Sequence, residues 1–274
     1  IESAFCTVPV SRGEKAVLRF RLPRRSLEDL GLTAEQRGGL VTFLKRNSGL
    51  LLLAGPRRSG CTTALYALLE RAAGTGRSVS MIEADSEADL RGIDPVSGRV
   101  SSLLVRAAVA RGARIIGLGG LRDEASAALA VSAAEHRLVI AVVEGQTFSE
   151  ALSGMLEMRV DPDALASVLM GVLTQRLGRR VCPECLRLRE TPLEEAARKW
   201  PRPVVRALFG KEKKQTFAHA GKCSRCWHTG HRGQIGIFEW RDLAKLQHDP
   251  STLLADAARK ALAGLIAPEE LLRL

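Results

Sequence analysis

The run Leu50-Leu51-Leu52-Leu53-Ala54 passes directly into Gly55-Pro56-Arg57-Arg58-Ser59-Gly60-Cys61-Thr62-Thr63, and a helical stretch, Thr62 to Ala73, follows. A buried strand, a glycine-rich turn and a helix in that order are the setting of a phosphate-binding loop. In the pattern G-x-x-x-x-G-K-[ST], backbone N–H groups at the helix N-terminus face phosphate oxygens, and the lysine reaches the β- and γ-phosphates. Gly55, Gly60 and Thr62 match this pattern, but Cys61 stands in the lysine position. A thiol is short and, with an ordinary pKa near ~8.5, mostly neutral at pH 7. It cannot replace a long cation, although Arg57 and Arg58 could hold a phosphate together with the helix amides.

The same alternation continues along the chain. Strands are expected at Ser78–Ile82, Arg114–Leu118 and Leu138–Val143, and helices at Ser101–Ala110, Glu124–Ala134 and about Asp163–Leu177. Strands alternating with helices imply a mainly parallel sheet covered on both faces. Before this core, residues 1 to about 23 read as extended, with Ala16–Phe20 the most strand-like part, and a basic linker runs from Arg21 to Arg25. Ser26 opens a short helix-like stretch. Thr33 opens another, with Thr33-x-x-Gln36 in capping-box spacing. After the core come a Cys-containing insert, about Gly178 to Glu239, and an Ala/Leu-rich helical tail.

The balance of 41 Lys and Arg against 30 Asp and Glu, a formal net charge of +11, suits nucleotides, nucleic acid or an anionic membrane face. Aromatic residues make up only 4%, with a single Tyr, which argues against a base-stacking nucleic-acid platform. No apolar run approaches the ~20 residues of a membrane span, and no signal peptide is visible. The chain begins with Ile rather than Met, which suggests a piece of a longer protein.

Cys182-Pro183-Glu184-Cys185 and Cys223-Ser224-Arg225-Cys226 are two Cys-x-x-Cys knuckles. Four thiolates at this spacing suit a closed tetrahedral Zn²⁺ site of structural type. Four reduced thiols, two disulfides, or substitution of His228 or His231 for one ligand are the competing readings. Zinc here would pin a small insert that lacks a core of its own. Of the other cysteines, Cys6 reads as a packed strand residue. Cys61 reads either as a small side chain filling the lysine's place or as a thiol activated at a helix N-terminus.

Beyond these motifs, the chain resembles the type II secretion and type IV pilus assembly ATPase family over nearly its whole length. Gly55 to Leu69 is similar to the family's GPTGSGKTTTLYALL, with Arg57 for Thr, Arg58 for the inner Gly and Cys61 for Lys. Arg114-Ile115-Ile116-Gly117-Leu118-Gly119-Gly120-Leu121-Arg122-Asp123 resembles DIIMVGEIRD, with Arg114 and Gly120 in place of acids. Ile82-Glu83-Ala84-Asp85-Ser86-Glu87 resembles the acidic box IEDPVE, keeping Glu83 and Glu87 but with Ala84 for the central Asp. Of the family's paired arginines only Arg106 remains, Ala110 replacing the second, and neither His of the His box is in register, His136 lying one place early on the surface. The flanks Gln175–Cys182 and Cys226–Glu239 are similar to those of the family's tetracysteine element.

The resemblance implies a RecA-like P-loop NTPase core with a mainly parallel sheet, a small tetracysteine zinc insert and a helical C-terminal tail. It divides the chain into residues 1–23, the end of a second N-terminal domain; 24–177, the motor domain; 178–240, the zinc module; and 241–274, a helical C-terminal segment. It implies a ring, expected to be hexameric, of this chain or with an active paralogue. The ring would sit at the cytoplasmic face of a bacterial inner membrane, docked on a platform protein. ATP, ADP and Mg²⁺ are the family's ligands, but the joint loss of the lysine and the inner glycine argues against tight ATP binding. If the inner position needs positive φ, Arg58 is strained there or the loop is reshaped. The expectation is a catalytically degenerate motor subunit with a structural or regulatory role and no nucleic-acid partner. Its rivals are a working ATPase using Arg57, Arg58 and Arg114, and a basic zinc-containing nucleic-acid binder with salt-dependent affinity.

Overall fold

A computed structural model describes residues 3–11, 13–20, 25–84, 92–243 and 252–274. Residues 21–24 of the basic linker, and Asp85, Ser86 and Glu87 of the acidic box, lie outside the described residues. The extended N-terminal stretch is an antiparallel hairpin, β1 (Ser3–Val10) with β2 (Gly13–Phe20), in which Cys6 lies opposite Val17. The packing of the Cys6 side chain falls outside the description.

The Ser26 stretch is a turn rather than a helix. Ser26 Oγ donates to Asp29 Oδ2 at 2.7 Å and the Asp29 N–H to Ser26 O at 3.0 Å. Such local side-chain bonding competes with helix propagation, and Gly31, at φ +88, ends the turn. The capping box at Thr33 is formed in both directions and starts α1 (Ala34–Leu44).

The core elements follow as β3 (Gly49–Ala54), α2 (Cys61–Ala73), β4 (Val79–Glu83), β5 (Ile93–Ser97) and α3 (Ser102–Ala110). They continue with β6 (Ile115–Leu118), α4 (Glu124–Ala134), β7 (Leu138–Val143), α5 (Phe148–Glu157), α6 (Pro162–Val168) and β8 (Leu169–Val181). The insert contributes β9 (Arg187–Pro192), α7 (Leu193–Lys199), α8 (Arg202–Phe209) and β10 (Lys214–His219); β11 (His231–Asp242) and α9 (Leu253–Leu262) complete the order. Seven strands form one sheet in the order β11-β8-β3-β7-β6-β4-β5. All neighbours are parallel except β11, which runs antiparallel to β8.

Strand β3 shows why a leucine run rather than an alternating pattern marks this sheet. Leu51 and Leu53 pack toward α1 and α2, whereas Leu50 and Leu52 pack toward α4 and its neighbours. Both faces are covered, so all four leucines are buried. Each such side chain contributes about 1.5–3 kcal/mol on burial.

The helix expected over Asp163–Leu177 ends at Val168, and Leu169–Val181 is strand β8. A run buried on both faces cannot be told from a buried helix by periodicity. What fixes the strand is Gly171: a side chain there would meet the Trp240 ring and, at 2.8 Å, the Arg241 carbonyl on β11.

The insert also has apolar packing that its sequence did not announce. Trp200 and Phe217 stack edge-to-face at 5.8 Å, and Phe209 and Phe217 at 5.7 Å. With Ile237 and Ala257 they belong to one cluster shared with β11 and α9. The insert thus shares its core with the tail helix α9 rather than enclosing one of its own.

At the outer edge of the sheet, the outward backbone groups of Gly236 and Phe238 on β11 are occupied by side chains and a loop. Gln36 Nε2 donates to Phe238 O at 3.1 Å, and the Phe238 N–H donates to Asp256 Oδ2 at 2.8 Å. Lys260 Nζ donates to Gly236 O at 2.6 Å and also to Asp256, while the Gly236 N–H reaches Leu30 O at 3.2 Å. Among the described residues no helix is long and apolar enough to cross a membrane.

Candidate functional site

Strand β3 ends between β7 and β8, so the loop Gly55–Gly60 opens at the carboxyl ends of the parallel strands, where open α/β sheets hold their ligands. The backbone of a phosphate loop is retained. Gly60 precedes α2 at φ +89, and a Cβ there would lie 2.7 Å from Gln175 Nε2, so only glycine fits. Arg58 adopts φ +66. The inner position therefore keeps its left-handed turn, and Arg58 bears the strain, about 1 kcal/mol relative to glycine.

The side chains tell a different story. Cys61 is only 6% exposed and packs in the cluster between α1, α2 and the sheet, with Ser59 Oγ 3.2 Å from its sulfur. Burial pushes its pKa up, against a smaller downward pull from the Ser59 hydrogen bond. Of the two readings of Cys61, the structure supports the small packed side chain. Arg57 turns to Glu144, Nε to Oε1 at 3.2 Å, and Arg122 lies 3.9 Å from the same carboxylate oxygen.

Two cavities meet over the loop. One, about 720 Å³, is lined by Gly55 to Thr63 and by Leu30, Leu121 and Gln175 among others. The second, about 670 Å³, lies toward β4 and β6 and includes Glu83, Ala84, Arg99 and Asp123. Arg58, Thr62, Gly119, Gly120 and Arg122 line both. The retained acid Glu83 accepts a hydrogen bond from the Tyr66 hydroxyl. Asp123 caps α4, accepting from the Ser126 N–H at 2.9 Å, and the Ser126 hydrogen bonds hold its pKa below the usual range. Arg114 and Arg106 are exposed and line neither cavity. Arg99 was not legible in the sequence as a cleft residue, because it arrives from the loop before α3 with no motif around it.

The four knuckle cysteines converge. Cys182, Cys185, Cys223 and Cys226 place their sulfur atoms within 4.8 Å of one another, the one such grouping of metal-ligating atoms among the described residues. Sulfur–sulfur separations of 3.9, 3.8 and 3.6 Å exceed a disulfide bond, which is ~2.05 Å. They match the edge of a tetrahedron, roughly 3.8 Å when the metal–sulfur bonds are ~2.3 Å. Desolvation opposes the Cys226 thiolate, but backbone hydrogen bonding at Cys223 and Gly230 brings its pKa down to about 6. Loss of solvent and the three neighbouring thiols push Cys185 up to about 12. The cluster could hold a metal ion. The His231 ring instead faces the Thr229 carbonyl, Nδ1 to O at 2.9 Å, and Trp227 and His228 turn the chain at φ +53 and +60.

The family model for the type II/IV secretion system protein matches residues 2–262. The chain belongs to this family. It is 32% identical over 244 residues to the type II secretion system ATPase E of Vibrio cholerae, covering 85% of this chain and 46% of that protein. It is 30% identical over 300 residues to the type II secretion system protein E of Dickeya dadantii, covering all of this chain and 58% of that one. The chain thus spans about half the length of these relatives. Among solved structures, the pilus retraction motor PilT with bound ADP superposes with a TM-score of 0.62 at 14% identity, over 99% of this chain and 77% of that one. The ATPase DotB of Legionella pneumophila gives 0.61 at 14% identity, over 99% and 71%. These likenesses establish the α/β fold with its mostly parallel sheet, and the sequence relatives establish a secretion-motor family. Within this member of the type II/IV secretion family, four of the departures, Arg58, Cys61, Ala84 and Gly120, line the two joined cavities, whereas Arg114 and Ala110 line neither.

Proposed function

We propose that this chain is a catalytically degenerate motor subunit that serves a secretion or pilus machine as a structural or regulatory component. One observation carries the reading: the residue in the lysine position, Cys61, is buried in the apolar core, and Gly120 offers no acid opposite it. Phosphoryl transfer depends on charges aimed at the transferring group, and each missing element costs orders of magnitude in rate. The nine loop residues Gly55 to Thr63 would then act as an architectural element, with ATP and Mg²⁺ not turned over. The four cysteines would hold structural Zn²⁺. The partners would be further copies or an active paralogue in a ring, and a platform protein at the inner membrane.

The test is steady-state hydrolysis by the purified full-length protein with Mg-ATP, beside an Arg57→Ala plus Arg58→Ala variant. The expected result is no turnover above background in either. Hydrolysis that the double substitution abolishes would show a divergent working ATPase instead. Zinc is tested separately by elemental analysis, with one equivalent per chain expected.

A further inference from the structure

The cleft over the loop has a cysteine in the lysine position, yet arginines outnumber carboxylates in its walls. Arg58 and Arg122 line both cavities, and Arg99 joins them from the loop before α3. All three are exposed; Arg58 forms no ion pair among the described residues, whereas Arg99 helps to lower the pKa of Asp123 in the same wall. The carboxylates in the same walls are engaged: Glu83 by Tyr66, Asp123 by Ser126, and Glu144 by Arg57 with Arg122 nearby. Arg58 is presented from a left-handed backbone that glycine would occupy without strain, and its side chain packs against no core cluster. Strained residues that serve no packing role are candidates for ligand contact.

A divalent cation in such a site neutralises phosphate oxygens. Guanidinium groups do the same through paired hydrogen bonds, and their own charge opposes a nearby metal ion. Building on the degenerate-motor reading, we infer that the cleft binds a polyphosphate-bearing anion directly, without a divalent cation, with Arg58 and Arg122 supplying the counter-charge. The first amides of α2 add to the attraction. Leu30, Leu121 and Leu177 are among the residues lining the same cavity, about 720 Å³, and give it apolar surface for an organic group.

Calorimetric titration of the full-length protein with ATP, ADP and inorganic tripolyphosphate, each in EDTA and in excess MgCl₂, tests this. Saturable binding is expected in EDTA. It should weaken about tenfold when Mg²⁺ caps the phosphates and competes with the guanidinium groups. Arg58→Gly plus Arg122→Ala should lower the EDTA affinity by about tenfold or more. Arg58→Gly alone should weaken binding and raise Tm, so the lost affinity cannot be laid to unfolding. Tripolyphosphate binding as tightly as ATP supports the proposal with the phosphate chain as the whole epitope; ATP binding about tenfold tighter supports it with a nucleotide as ligand. The proposal is overturned by binding that needs Mg²⁺, by no binding of any probe in EDTA, or by unchanged affinity in the double variant. Turnover in the same samples with Mg²⁺ would sink the degenerate-motor reading and leave the EDTA titration to be judged by itself.

Discussion

The loop Gly55–Thr63 and the cluster Cys182–Cys226 preserve opposite halves of a site. In the loop the backbone turn is present but a thiol stands in the lysine position: Gly60 and Arg58 hold left-handed angles, while Cys61 is packed in the core. In the cluster the ligating atoms are all in place, brought together from two knuckles 41 residues apart. A strand–turn–helix needs only a few permissive backbone positions, so it can outlive its reaction. A metal site has no such separation, because its donor atoms are the structure.

The largest test of that contrast is Cys182→Ser. Structural zinc binds small peptides with free energies on the order of 10 kcal/mol, so this variant should release its metal and leave the 182–230 segment open to proteolysis and hydrogen exchange. A protected segment after metal loss would mean that the aromatic cluster alone sustains it. Next is the tether between β8 and the chain end. Arg179 pairs with Glu270 through Nη2 at 2.7 Å and Nε at 2.9 Å, and Glu270 is only 3% exposed. Arg179→Ala removes both guanidinium bonds to that carboxylate, leaving it the residue-179 N–H and the nearby Arg273, and should cost about 1–3 kcal/mol by denaturant unfolding. Burial pushes the Glu270 pKa up, but the Arg179 bonds outweigh it and the net shift is downward. The pairing therefore stabilises the fold above the ordinary carboxylate range, and the contribution is lost as pH falls through it. Accordingly, the stability gap between pH 7 and pH 3 should narrow in the variant.

Cys61→Lys addresses the loop directly. Forcing a longer, charged side chain into the space of a buried thiol should cost about 2 kcal/mol, with hydrolysis still at background. Turnover in this variant would show that the cradle needed only its cation. The smallest expected effect has the opposite sign: Arg58→Gly relieves about 1 kcal/mol of left-handed strain, and Tm should rise by roughly 2–4 °C.

The sequence was most readable where a local rule decided the outcome. The capping box at Thr33, the leucine run of β3 and the two cysteine knuckles each carry their own geometry, and each appears as expected. It was least readable where a distant partner decided it. The helix expected over Asp163–Leu177 gives way to strand from Leu169, where Trp240 on β11 takes the space beside Gly171. Arg99 became a cleft residue only through the placement of the loop before α3. Whether Cys61 faces a ligand or the core depended on tertiary packing around the start of α2, which no spacing in the loop discloses.

The side chains that occupy the outer rim of β11 bear on how this molecule meets copies of itself. A long terminal strand with vacant amides is an invitation to recruit another strand, and so to fibrous self-association. Here Gln36, Asp256, Lys260 and the Leu30 carbonyl have already claimed the amides and carbonyls of Gly236 and Phe238. Shortening the polypeptide ahead of Leu253 would remove Asp256 and Lys260 and so free the Phe238 amide and the Gly236 carbonyl, and insolubility would appear before any failure of the half that carries the phosphate loop.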